Sequence, residues 1–217
     1  MTDSAPIGLL HLLLAGYWLG ADLGVYLIAS AVADGSRPQA VRVFAARLML
    51  LLDMVPRSCL VLTLASGLHL SAGFLLPELR PWLWALWLAA LAWLALVWAI
   101  FLRQHRASAP AVGLAAIDAG IRLALIALCL GLAYRSLGAG LSWLAGKLAL
   151  LGLILALGLL IRWQLRGFAA LFARALQGGD AESERRLRRL IDQVRVPVWG
   201  IWLAVLAAAL LGHLKPA

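Results

Sequence analysis

Three of the four histidines, His11, His69 and His213, fall near the same end of apolar stretches that lie far apart in the chain. An imidazole in hydrocarbon is costly, and ionisable groups inside a membrane mostly persist where they act. Neutral imidazole is also a common ligand for transition metals and for haem iron. Several such rings at one depth therefore predict a metal or haem site near one face of a bilayer, with His11, His69 and His213 as its ligands. Lys147, about two turns in from that face, adds a cation.

A second layer of polar residues falls in the other half of the same stretches: Asp22, Asp53, Arg57, Asp118 and Arg122. In the first stretch His11, Ala15, Trp18 and Asp22 recur at i, i+4, i+7 and i+11, a single helical stripe. A stripe carrying an imidazole and a carboxylate must face protein, because lipid offers neither a hydrogen bond. Asp53 and Arg57 are four apart and flank Pro56, whose missing amide loosens a helix there. Asp118 and Arg122 repeat the four-residue spacing. These groups suit mutual neutralisation, and equally a proton path or a clamp on the carboxylates of a porphyrin. His69 lies twelve residues beyond Arg57, about a third of a turn off its face.

Helices that cross a membrane must carry these residues. Six apolar runs stand out, about 7–33, 49–73, 82–101, 112–134, 141–161 and 196–214, each near the roughly 20 residues that span the hydrocarbon layer. Of 217 residues, 64% are hydrophobic and only 13% charged, more apolar surface than a soluble domain of this size hides. The predicted fold is an all-α integral membrane protein, a bundle of about six transmembrane helices forming one domain. The start of the chain has Asp3 and no Lys or Arg before the first run, so that run is expected to be a span and not a secretory leader.

The net charge of +9 is distributed by side. Arg37, Arg42 and Arg47 fall in or beside the first connection, and Arg103 and Arg106 in the third. Arg162, Arg166, Arg174, Arg185, Arg186, Arg188, Arg189 and Arg195 fall in the fifth. The other side has Arg80, Arg135 and Lys215. This positive-inside bias predicts both termini outside and the odd-numbered loops in the cytoplasm of a bacterial-type inner membrane. It argues for anionic lipid and against nucleic acid as the partner of the basic residues. His105 then sits in a cytoplasmic loop, solvated.

The connections are short. Asp34 to Pro38 is a turn cluster, and Pro77 and Pro81 bracket the second connection. Within Gln177 to Arg195, the segment Ala181 to Val194 puts Leu187, Leu190, Ile191 and Val194 at helical spacing against arginines, which predicts an amphipathic helix at the inner leaflet. Cys59 and Cys129 stand alone in apolar spans and indicate packing, with no thiol centre. Trp82, Trp84 and Trp143 are expected at the outer interface and Trp163 at the inner one. Trp87, Trp93 and Trp98 belong to an uncharged third span expected to face lipid or another subunit.

Four patches resemble a known family. His11-Leu-Leu-Leu-Ala-Gly-Tyr-Trp18-Leu-Gly20 resembles the opening helix of the HemJ-type protoporphyrinogen oxidases and their CopD-type copper-resistance relatives. Arg47-Leu-Met-Leu with Met54, then Leu62-Thr-Leu-Ala-Ser-Gly67-Leu, is similar to the family's second helix. Trp143-Leu-Ala-Gly-Lys147-Leu-Ala-Leu resembles its Trp-Leu-x-x-Lys-Leu signature, and Arg189 through Pro197 with Lys215-Pro216 resembles its closing helix. The patches cover about a third of the chain, in order. The resemblance implies His11 as a haem b ligand and Lys147 as the family's membrane lysine. The chain departs from the pattern in having six spans where four are usual, and Asp192-Gln193 where the family has Asn-Glu.

Two functions follow as expectations. One is a membrane haem b oxidoreductase acting on a porphyrinogen-like molecule, a quinone or another small redox substrate. Its haem would be held by the histidines and walled by Trp18, Trp143, Trp199 or Trp202, with Lys147 or Arg135 for its propionates. The other is a CopD-like protein that binds copper at His11, His69 and His213 for transport or resistance. The bilayer, and in either case a second copy of the chain, are the further partners expected.

Overall fold

Long Leu- and Ala-rich runs in lipid have one way to satisfy every backbone amide within a segment, and that is the α-helix. The computed structural model describes residues 5–73, 76–103, 110–177 and 181–214, and among them it has helices and no strand. The helices are α1 (Ala5–Ala33), α2 (Gln39–Leu52), α3 (Met54–Ser71), α4 (Leu83–Arg103), α5 (Pro110–Gly138), α6 (Ser142–Gln164), α7 (Phe168–Leu176) and α8 (Ala181–Leu214), with a 3-10 turn over Pro77–Trp82 before α4. Six stretches are long and apolar enough to cross a membrane: Ala5–Ala33, Gln39–Ser71, Pro77–Arg103, Gly113–Gly138, Ser142–Gln164 and Ala181–Leu214. Large apolar side chains such as Leu12, Leu27, Leu123 and Leu203 are exposed on them, as lipid-facing surfaces require. The chain is an all-α, multi-pass membrane protein.

Three boundaries differ from the sequence expectation. The second span starts at Gln39 and is broken into α2 and α3 at Asp53, because Pro56 has no amide to give the carbonyl of Leu52. The amphipathic segment at 181–194 is no separate surface helix: it runs unbroken through Pro197 into the last span. Its Leu187 and Ile191 are buried, so its apolar stripe is spent on protein. α7 was not anticipated; Gly167, at φ +89°, makes the left-handed step between α6 and α7 that side chains resist. His105, Arg106, Asp3 and Lys215 lie outside the described residues.

The chain divides into two compact units. The first is Met1–Val25 with Met49–Asp118. Its α3 and α4 run antiparallel, tied at one end by the Trp98 indole N–H on Ser58 Oγ (3.2 Å) and at the other by the Trp87 indole N–H on His69 Nδ1 (3.0 Å). Each pair is eleven residues from the next on its helix, three turns, so both ties fall on one seam. Arg80 folds back and caps α3, its Nε on the Ala72 carbonyl (3.1 Å) and its Nη2 on that of Gly73 (3.2 Å).

The second unit is Tyr26–Leu48 with Ala119–Ala217. Here α6 and α7 pack on α8, closely enough that a Cβ at Gly200 would stand 3.0 Å from Leu157 and one at Gly146 2.9 Å from Leu211. Small residues at such seams let backbones approach where no hydrophobic force drives helices together. Arg42 is buried and joins four segments. Its Nε donates to the Val32 carbonyl at the end of α1 (3.1 Å), its two terminal nitrogens grip Glu184 of α8 (2.6 and 2.9 Å), and its plane lies 5.8 Å from the Phe172 ring of α7. In the turn between α1 and α2, the Ser36 hydroxyl (2.6 Å) and amide (3.1 Å), then Arg37, hold the Asp34 carboxyl below its ordinary range.

Candidate cofactor-binding site

His11 is seated on α3. Its Nδ1 stands 2.9 Å from Ser66 Oγ, and Ser66 Oγ is 2.8 Å from the Leu62 carbonyl one turn back. A hydroxyl has one proton to give. Both contacts are satisfied when Ser66 gives it to Leu62, or to Thr63 at 3.1 Å, and accepts the Nδ1–H of His11. A ligating histidine is built this way, its second nitrogen donating to a fixed acceptor that sets tautomer and ring orientation. Gly67 completes the seat: a Cβ there would be 3.2 Å from His11 Cε1 and 3.8 Å from Nδ1. The Nδ1–Cε1 edge therefore lies on α3. Trp18 of the same α1 stripe is buried, at 5% exposure, and Asp22 is half-buried; the stripe faces protein as its composition requires.

His69 is held differently. An indole N–H only donates, so His69 Nδ1, 3.0 Å from Trp87 Nε1, must accept. The proton of a neutral ring then sits on Nε2. Both nitrogens of His69 are thereby committed, one to the indole and one to its own hydrogen, and in this arrangement the ring has no lone pair for a metal. The two rings are thus seated differently, His11 against a hydroxyl that can accept and His69 against an indole that can only donate.

The third span corrects a further expectation. Trp87, Trp93 and Trp98 do not simply face lipid: each indole N–H is spent inside the first unit, on His69, on Asp118 (2.8 Å) and on Ser58 respectively. Trp93 and Asp118 are both buried, and a buried carboxylate needs such a donor. Asp53 and Arg57 form the ion pair that their spacing predicted.

The remaining expected residues belong to the second unit. Lys147 of α6 lies along α8, where a Cβ at Gly212 would come within 2.6 Å of its Nζ. His213, next along α8, is exposed. Arg122 is buried, its Nη1 4.0 Å from where a Cβ of Gly158 would be. Trp199 and Trp202 form an aromatic cluster with Tyr26, ring centres 6.1 and 5.4 Å from it, and the Arg195 guanidinium lies 4.8 Å over the Tyr26 ring. That pairing gives Trp202 and Trp199 a packing role in this unit.

Among the described residues no group of three or more His, Cys, Asp or Glu side chains is placed to hold a metal ion. Ser66 and Trp87 were missed from the sequence. A serine in an apolar span reads as a small packing residue, and no periodicity pairs positions 69 and 87 across a connection. The chain matches no protein-family model, no curated protein and no solved structure.

Proposed function

We propose that this multi-pass membrane protein is a haem b-binding oxidoreductase in which His11 would hold the haem iron. The observation that carries the reading is the seat of His11, with Nδ1 on Ser66 and one ring edge on Gly67. A bare transition-metal ion needs three or four protein donors, whereas a porphyrin brings four nitrogens of its own and asks the protein for one or two. One well-oriented imidazole favours haem over copper. The ordered likeness to the HemJ and CopD superfamily points the same way.

When bound, haem b supplies a one-electron iron couple for a small substrate of the porphyrinogen or quinone kind. The chain's own residues orient the ligand (Ser66, Gly67) and wall the helix face that carries it (Trp18). The ion pair of Asp53 and Arg57 keeps charge balanced in the same unit. By the distribution of arginines we place both termini outside a bacterial-type inner membrane.

The test is the reduced-minus-oxidised spectrum of purified protein, with haem per polypeptide measured for single variants. Wild type is expected to show Soret, alpha and beta bands. His11→Ala should lose the haem, while His69→Ala and His213→Ala keep it. A colourless wild type from haem-sufficient cells, or full haem in His11→Ala, sinks the proposal.

A further inference from the structure

His69 takes its tautomer from its neighbour, and that neighbour decides what the ring offers. Trp87 can only donate, so Nδ1 accepts and the proton of the neutral ring is on Nε2. Imidazolium would have no lone pair for the indole, so the ring that keeps this bond is neutral. The nearby Arg80 spends its guanidinium on the carbonyls of Ala72 and Gly73 at the end of α3. The His69 ring itself thus presents an uncharged N–H donor, while Arg80 keeps its charge on the backbone at the end of α3. A carboxylate or phosphate would be served better by a cation; a neutral N–H suits a carbonyl oxygen.

The surroundings select what carries that carbonyl. One turn before Trp87, the rings of Trp82 and Trp84 lie 6.4 Å apart, tilted by 33°. They are 59% and 62% exposed at the start of a membrane-spanning stretch, where lipid-dissolved molecules arrive. A flat apolar ring with carbonyl oxygens at its edge matches an indole surface beside one neutral donor.

We propose that His69, fixed by Trp87, is a hydrogen-bond donor to a carbonyl oxygen of a membrane quinone, and that this is the binding site of the oxidoreductase's redox partner. The inference rests on the haem reading for the word partner, but the binding itself does not need haem.

The probe is decylubiquinone, titrated into the full-length protein in detergent by calorimetry, with decanoate as the anionic control and haem content measured on the same samples. His69→Ala should raise the Kd for the quinone about tenfold, the effect of one lost hydrogen bond. Trp87→Phe should weaken it similarly, since it frees the ring to place its proton on Nδ1. His69→Gln should bind within about threefold of wild type, its amide oxygen accepting from Trp87 and its amide N–H replacing Nε2–H. Long-range proton–nitrogen spectra of histidine-labelled protein should show His69 as the Nε2–H tautomer in wild type and not in Trp87→Phe. Circular dichroism and melting of each variant verify its fold.

No quinone binding by wild type, equal Kd in His69→Ala, a charged or Nδ1–H His69, or His69-dependent binding of decanoate instead would each overturn the inference. Absence of haem with intact His69-dependent quinone binding would overturn only the haem reading. Haem present with no quinone binding would overturn only this one.

Discussion

The two described imidazoles of the first unit show that residue type alone does not fix a role. His11 sets its Nδ1 against a serine hydroxyl that can accept, and His69 sets its Nδ1 against an indole that can only donate. The same side chain is held in two different ways because its partner has, or lacks, a lone pair. Gly67 gives this a sharp test. A Cβ there would stand 3.2 Å from His11 Cε1, whereas one at Gly16 of α1 meets nothing within 4 Å. Gly67→Ala should push the ring off its seat at a cost of roughly 1–3 kcal/mol, lowering haem per polypeptide and the melting temperature. Gly16→Ala should change neither. Equal behaviour of the two variants would mean that the seat does not matter.

At the scale of elements, indoles and one arginine take the place that a hydrophobic core has in water. Helices in lipid gain little by hiding leucine from leucine, so polar ties and close approach have to hold them. Trp87 and Trp98 tie α4 to α3, and Trp93 ties it to Asp118 of α5. In the second unit Arg42 clasps the end of α1, α2, α7 and α8 together. Its side chain is 4% exposed and that of Glu184 26%, so solvent screens the pair little on the arginine side. Arg42→Met should therefore destabilise the protein by about 3 kcal/mol in detergent melts, by stranding Glu184. Adding Glu184→Gln should recover part of the loss, since the stranded charge is then gone. No loss in the single variant, or strictly additive losses, would show that the clasp carries no energy. α7 and α8 both meet this contact, and the segment at 181–194 lies on protein with Leu187 and Ile191 buried.

For the whole molecule, charge rather than packing states which way the chain faces. The arginines of the first, third and fifth connections outnumber the cations of the others, and this bias governs insertion. Single cysteines in a Cys59→Ala, Cys129→Ala background read it directly. Ala139→Cys, between α5 and α6, should react with an impermeant maleimide in intact cells, and Arg188→Cys only after permeabilisation. The reverse pattern would turn the proposed orientation over, and with it the side from which His11 and His69 are reached.

Composition and hydropathy alone determined that this is an all-α membrane protein with six crossings, because the cost of an unpaired amide in hydrocarbon leaves a long apolar run no other structure. Spacing within one helix was equally legible: Asp53 with Arg57 pair as their four-residue interval requires, Pro56 breaks the span beside them, and the stripe through His11 and Trp18 turns inward. What lies across helices was not. That His11 meets Ser66 and Gly67, that His69 meets Trp87, that the tryptophans of α4 serve buried acceptors, and that Arg42 reaches Glu184 over 142 residues were decided by tertiary structure. Each depends on how far two helices are rotated and slid against one another, and a pattern read along one chain segment contains no term for that.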